Sequence, residues 1–344
     1  MKTEAAILVE LHRPLELAEI EIPRLNHGQV LVELKNSRIC GSQIGEIEGV
    51  KGPDRWLPHL LGHEGGGDVV ETGPGVKSVQ AGDRVVLHWR PGNGIEADPP
   101  RYQWGKRTVN AGLVTTFNRY AVVSENRLTR IPVSIDYTTA SLLADTLTTG
   151  FGIVNNDANL AIGESLVIIG CGGIGLGVVL AAKLAGAYPI IAVDLHAHKL
   201  QRALEIGATH TINSGEESLE VAVERILGRP GQADVVVDGT GNPAVIEAAY
   251  QLTHPQGRCV LFGVMPHDQR LSFHTLPLHF GKVLTGSVGG SSQPSRDIPR
   301  YVRMIEAGRF DPASFISHRI ALPAVNEGIA KMRAGEVIHC VIDF

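Results

Sequence analysis

The chain has 344 residues, a length that at about 100–200 residues per domain implies two or more domains. Hydrophobic residues make up 43% and charged residues 19%, which excludes a disordered or collagen-like chain and leaves material for a large core. A net charge of −5 without a long basic run argues against nucleic acid as the main partner, and four scattered cysteines (Cys40, Cys171, Cys259, Cys340) suit a reducing compartment better than a disulfide scaffold.

The apolar residues 5–9 lie between Glu4 and Glu10, without the basic flank or the longer apolar core of a signal peptide. Residues 29–34, 67–71 and 84–88 read as strands from their alternation, with turn residues at 72–75 and 81–83. Residues 90–112 are rich in Gly, Pro, Asn, Trp and Tyr and show no apolar period, so they read as a long surface loop. Beyond about residue 150, strands at 166–169, 190–193, 234–237 and 258–262 alternate with helices at 174–185, 198–206, 218–227 and 243–252. That alternation predicts an α/β unit, a parallel sheet with helices on both faces. The uncharged stretch 166–182 carries five glycines and is shorter than the ~20 apolar residues of a membrane span. A helix at 297–308 and a strand at 337–343 close the chain.

Gly170-Cys171-Gly172-Gly173-Ile174-Gly175 follows the strand at 166–169 and opens a helix. In a G-x-G-x-x-G turn the first glycine bends the chain, the second admits a pyrophosphate and the third lets helix and strand pack closely. The helix N-terminus offers unpaired N–H groups to the phosphates. Asp194 ends the next strand 19 residues after Gly175, close to the ~20 expected of a ribose-binding carboxylate, and it disfavours a 2′-phosphate. NAD is therefore expected over NADP. The alternative is a glycine-rich turn in another α/β fold.

Cys40-Gly41-Ser42 and Gly62-His63-Glu64 are each common by chance, since a lone Cys is usually a core residue and a His beside a Glu is unremarkable. Together with Leu61, Ala81-Gly82-Asp83-Arg84-Val85, Thr148-Thr149-Gly150, the glycine turn and Gly286-Ser287-Val288-Gly289-Gly290, in this order, they resemble the zinc-dependent medium-chain alcohol dehydrogenases over nearly the whole chain. The resemblance implies a β-rich GroES-like catalytic domain over 1–147, an NAD-binding Rossmann doubly wound parallel sheet over 148–290, and a return to the catalytic domain over 291–344. It implies one catalytic zinc held by Cys40, His63 and Asp145, the last standing where the family has Cys or, in polyol dehydrogenases, Glu. Glu64 becomes an intermittent fourth ligand or a carboxylate behind the ligands, and Ser42 the hydroxyl that takes the alcohol proton.

Gln43 stands where an acid often orients the ligand His, and its amide oxygen offers a weaker acceptor. Gly45 stands where many members have a relay His, so the proton exit differs. Thr149 and Ile174 align with residues behind the nicotinamide, alongside Gly170, Gly172, Gly173 and Gly175 on the phosphates. His339 stands where an Arg often binds the pyrophosphate, and is otherwise a plain surface histidine. Residues 84–125 contain no Cys, so no structural zinc is expected. Trp89, Tyr102 and Trp104 either line a substrate channel or anchor the 90–112 loop, the anchor being preferred.

The implied activity is hydride transfer between NAD and an alcohol, polyol or sugar-derived, in a cytoplasmic homodimer or homotetramer paired through residues 281–290. Its partners are small alcohol or carbonyl substrates, with no nucleic acid and no membrane. The alternatives are a metal-free reductase of activated double bonds, against which Cys40 and His63 count, and a non-catalytic nucleotide-binding protein, which Asp145, Gly45 and His339 favour.

Overall fold

The computed structural model describes residues 1–228 and 232–344. The chain divides into two compact units, Met1–Asp145 with Gln293–Phe344, and Thr146–Ser292.

The first unit is organised around the strand Gln29–Ile39. It pairs antiparallel with Glu64–Thr72, Tyr120–Ser124 and Cys340–Asp343. Glu64–Thr72 passes on to Arg84–His88 and that strand to Leu128–Arg130, while Cys340–Asp343 carries His318–Ala321 in parallel. The side chains alternate as a strand requires. Val30, Val32 and Leu34 join Val85, Leu87 and Val123 in one apolar cluster, while Leu31 joins Ala5, Ile7, Ile20 and Tyr102 in another.

Residues 90–112 are not one open loop. Arg101–Trp104 and Arg107–Asn110 form an antiparallel pair that closes a small barrel with Lys2–Leu8, Glu16–Glu21 and His59–Leu60. Strands of four residues are too short to display a period, but Tyr102 and Val109 face each other across the pair and both are fully buried. The Tyr102 hydroxyl accepts a hydrogen bond from Val122 N at 2.8 Å, so this aromatic is an anchor. The stretch before the pair is clamped by Glu125. Its Oε1 accepts from Lys77 N, Ser78 N and Ser78 Oγ, and its Oε2 accepts from Ile95 N. Burial opposes the Glu125 charge, but these donors outweigh it and hold the carboxyl below its ordinary range.

Gly66, in the middle of the glycine run at 65–67, has a packing cause in a helix. A Cβ on Gly66 would stand 2.7 Å from Tyr137 O and 2.8 Å from Ala140 Cβ, so the helix Tyr137–Leu143 lies directly on the strand backbone. Asp136 caps that helix by accepting from Thr139 N at 2.8 Å.

The second unit is a six-stranded sheet, parallel throughout. Across the sheet run His210–Asn213, Ile190–Asp194, Leu166–Ile169, Ala233–Asp238, Thr253–Leu261 and Val283–Gly286. In chain order this is 3-2-1-4-5-6, the doubly wound order of dinucleotide-binding sheets. Leu166–Ile169 is wholly buried, as a central parallel strand is. The turn after it holds Gly170 at φ +97°, and a Cβ on Gly175 would come within 2.0 Å of Gly170 O, so the helix Gly173–Ala185 starts tight against the strand. Among the described residues no helix is long and apolar enough to cross a membrane.

Candidate metal and active site

Strand register assembles the site. Gln29–Ile39 and Glu64–Thr72 run antiparallel with Ser37 opposite Gly65. The residue leaving the first strand, Cys40, and the residues entering the second, His63 and Glu64, therefore meet at one end of the sheet. Cys40 is the N-cap of the helix Gly41–Ile47. Asp145 follows the helix that packs onto the strand at Gly66. The ligand atoms of Cys40, His63, Glu64 and Asp145 all lie within 4.8 Å of one another. His63 Nε2 is 3.5 Å from Asp145 Oδ2 and 3.8 Å from Glu64 Oε1.

The groups behind this cluster differ in kind. Trp89 Nε1 donates to Asp145 Oδ1 at 2.8 Å. Arg38 Nη1 donates to Glu64 Oε2 at 3.0 Å, and both side chains are buried. Gln43 ties two ligand candidates together, though not through the atom anticipated. Its amide oxygen accepts from Cys40 N at 2.8 Å, leaving Nε2 against His63 Nδ1 and 3.3 Å from Ser42 Oγ. The N–H at the helix start needs an acceptor, and a side chain three residues on is placed to supply it.

Burial disfavours a charged His63, but Asp145, Cys40 and Glu64 outweigh it and raise its pKa well above the ordinary value. The cluster thus draws positive charge. Thiolate, imidazole and carboxylate are the donor types zinc takes, and Cys40 with Asp145 carries the two negative charges that balance it. Arg38 offsets the third, on Glu64. The residues present fit the ion. All four cysteines are free thiols.

Ser42, half-buried in the first turn of Gly41–Ile47, accepts from Gln43 Nε2. In the second unit Thr149 is buried in the helix Thr146–Gly152. Gly170, Gly172, Gly173, Ile174 and Gly175 form the turn and the opening of Gly173–Ala185. A Cβ on Gly172 would meet nothing within 4 Å, so the backbone before the helix faces open space of the kind a pyrophosphate needs. Asp194 is fixed at this turn, accepting from Cys171 N at 2.8 Å and from His196 N at 3.0 Å.

His339 is neither a surface histidine nor a charged contact for phosphate. It is fully buried in the first unit, its ring edge-on to Phe315 at 5.7 Å, with no hydrogen bond to either ring nitrogen among the described residues. Burial first, and the charge of Arg38 second, hold its pKa well below the ordinary value, so the ring is neutral. Sequence reasoning misses Arg38 and misses the partner of Trp89. Arg38 had a signal, a cation in a buried strand two positions before Cys40. Trp89 was read as an anchor or channel residue, and nothing local pointed to Asp145 as its partner.

Two family profiles match, an alcohol dehydrogenase GroES-like domain over residues 26–133 and a zinc-binding dehydrogenase over residues 173–307. The chain is 32% identical over 377 residues to the alcohol dehydrogenase class-3 of Cereibacter sphaeroides, covering 100% of both. It is 32% identical over 376 residues to the S-(hydroxymethyl)glutathione dehydrogenase of Paracoccus denitrificans, covering 99% of this chain and 100% of the relative. Among solved structures it is similar to an alcohol dehydrogenase zinc-binding domain protein from Burkholderia ambifaria, with a TM-score of 0.91, 27% identity, and 100% and 99% of the two chains covered. The chain belongs to the zinc-dependent medium-chain alcohol dehydrogenase family.

Proposed function

We propose that the protein is an NAD-dependent zinc alcohol dehydrogenase acting on a polyhydroxylated or sugar-derived alcohol, or on the matching carbonyl. The observation that carries this reading is the thiolate–imidazole–carboxylate cluster, in a chain whose second unit bears the strand, glycine turn, helix and Asp194 of a dinucleotide site. Cys40, His63 and Asp145 hold the ion, with Glu64 behind them. When bound, zinc supplies Lewis-acid polarisation of an alcohol or carbonyl oxygen, and NAD supplies the hydride acceptor.

The chain's own residues bind, orient and move the proton. Ser42 presents a hydroxyl that both accepts and donates, so it takes the alcohol proton and hands it on. With Gly45 in place of a histidine, the relay beyond Ser42 would need another acceptor on this chain, and Glu46 in the same helix is the candidate. Thr149 and Ile174 would stand behind the nicotinamide of a bound NAD, a positioning effect. Asp194 bonds the ribose and repels a 2′-phosphate. A carboxylate third ligand keeps the thiolate's charge but makes a harder site, the feature shared with polyol dehydrogenases.

The strand Val283–Gly286 lies at the sheet edge, with Phe280, Val283 and Val288 exposed around it. This supports pairing of two second units into a homodimer or, further, a homotetramer. Four free thiols suit a reducing, cytoplasmic setting.

Metal analysis and a substrate panel followed by NADH absorbance test the reading. About one zinc per chain and turnover of polyols or sugar alcohols are expected, with both zinc and turnover lost in Cys40→Ala. Absence of zinc, or full turnover by that variant, overturns it. The 32% identity to class-3 and S-(hydroxymethyl)glutathione dehydrogenases favours a second substrate, a glutathione-adduct alcohol. Its oxidation in preference to the polyols would replace the substrate class and leave the zinc chemistry standing.

A further inference from the structure

The geometry points to Trp89 as the residue that positions Asp145 for the metal, selecting which carboxylate oxygen faces the ion. This rests on the zinc reading above. A thiolate ligand has one donor atom, whereas a carboxylate has two and binds through either or both. In this chain Oδ1 receives the Trp89 indole N–H at 2.8 Å, while Oδ2 is the oxygen turned to His63 Nε2. The indole is a donor only, so it cannot compete for the metal.

Trp89 is itself held from several sides. It directly follows the strand Arg84–His88, and its carbonyl accepts from Arg127 Nη1 at 2.9 Å. Its ring packs against the apolar cluster that contains Val85 and Leu87. The indole is therefore a rigid arm of the sheet that reaches the ligand by one hydrogen bond.

The contrast with Glu64 sharpens the assignment. Glu64 is bonded by a guanidinium, a full positive charge that offsets its own and disfavours approach to a cation. Asp145 Oδ1 accepts from a neutral N–H, which orients the carboxylate without bringing a positive charge of its own. Of two neighbouring carboxylates, the indole marks the ligand and the guanidinium marks the one kept back. The arrangement suits an oxygen ligand specifically, since a sulfur acceptor makes a longer and weaker bond with N–H.

The test measures zinc affinity by competition with a chromogenic chelator in the wild type, Trp89→Phe, Asp145→Cys and the double variant. Loss of such an outer partner weakens metal binding by about 10–100-fold, and that loss is expected in Trp89→Phe with Asp145 intact. In the Asp145→Cys background the same Trp89→Phe change is expected to have almost no effect. A purely structural role for Trp89 would weaken zinc equally in both backgrounds, which overturns the proposal, as does unchanged affinity in Trp89→Phe. If a variant does not fold, indole ¹⁵N–H NMR of the wild type decides. The Trp89 N–H is expected to exchange slowly with solvent and to shift when zinc is added, while those of Trp56 and Trp104 stay put. Fast exchange and no shift overturn it. A wild type that binds no zinc instead defeats the zinc reading itself, so the two failures are told apart.

Discussion

Replacing Arg38 with methionine tests how the negative charge around the site is managed. Arg38 and Glu64 are buried and 3.0 Å apart. At an effective dielectric constant near 20, their attraction is about 5 kcal/mol. Methionine keeps much of the side-chain volume but leaves Glu64 as a buried charge without its guanidinium, a change that costs about 3–5 kcal/mol. Against a typical total of about 5–15 kcal/mol this is a large loss. At about 2–4 °C per kcal/mol for a body of this size, the unfolding midpoint of the first unit falls by about 10 °C.

Zinc changes the sum in a definite direction. Glu64 Oε1 lies in the same cluster as the ligand atoms, so a bound cation returns part of the electrostatic support that Arg38 supplied. The variant is therefore destabilised most as the chelated protein and less as the zinc-loaded one, and zinc raises its midpoint more than it raises that of the wild type. Thermal melts of both proteins, with zinc and with chelator, measure this. A variant as stable as the wild type, or one losing the same amount in both conditions, would refute the charge argument.

The remaining predictions concern other parts of the frame. Gly66→Ala forces a Cβ against Tyr137 O and Ala140 Cβ, costing about 1–3 kcal/mol and pushing away the helix that leads into Asp145, so chelator competition should show weaker zinc binding. An unchanged affinity would mean that the helix does not set the ligand's position. Glu125 has a lowered pKa, so its clamp contributes stability above the ordinary carboxyl value of 4.5 and loses it as pH falls from there through the depressed folded value. Urea midpoints followed down this range should fall more steeply in the wild type than in Glu125→Gln, and parallel curves would count against the clamp. Val283→Lys places a charge on the exposed sheet edge and tests the proposed pairing: the sedimenting mass should shift toward a single chain, and an unaltered mass would count against pairing through this edge.

What was legible in the sequence follows from how local each requirement is. The glycine turn reads clearly because its causes lie within six residues, a positive φ at Gly170 and a helix pressed against Gly170 O at Gly175. Asp194 reads clearly because it ends the adjacent strand. The run Gly65-Gly66-Gly67 is visible as a patch, yet the reason for Gly66 lies in a helix some seventy residues on, so only packing reveals it. The 101–110 pair escaped because its strands are four residues long and inward Tyr102 and Val109 are its whole apolar signal. His339 reads as a surface or phosphate residue because its burial comes from packing with residues distant in sequence, among them Phe315.

Arg38 and Trp89 show the limit most clearly, because their partners are chosen by register and packing. Ser37 stands opposite Gly65, and one residue further along both strands the Arg38 guanidinium reaches the Glu64 carboxylate. A slip of one residue would reverse which face each side chain occupies. Arg38 would then turn from Glu64, leaving one buried cation and one buried anion apart, a penalty that alternation of Val and Leu alone does not impose. The ion pair thus does two jobs with the same atoms. It restrains the pairing of the strands that bring Cys40 to His63, and it balances the buried charge of Glu64 beside the Asp145 carboxylate that accepts from the Trp89 indole.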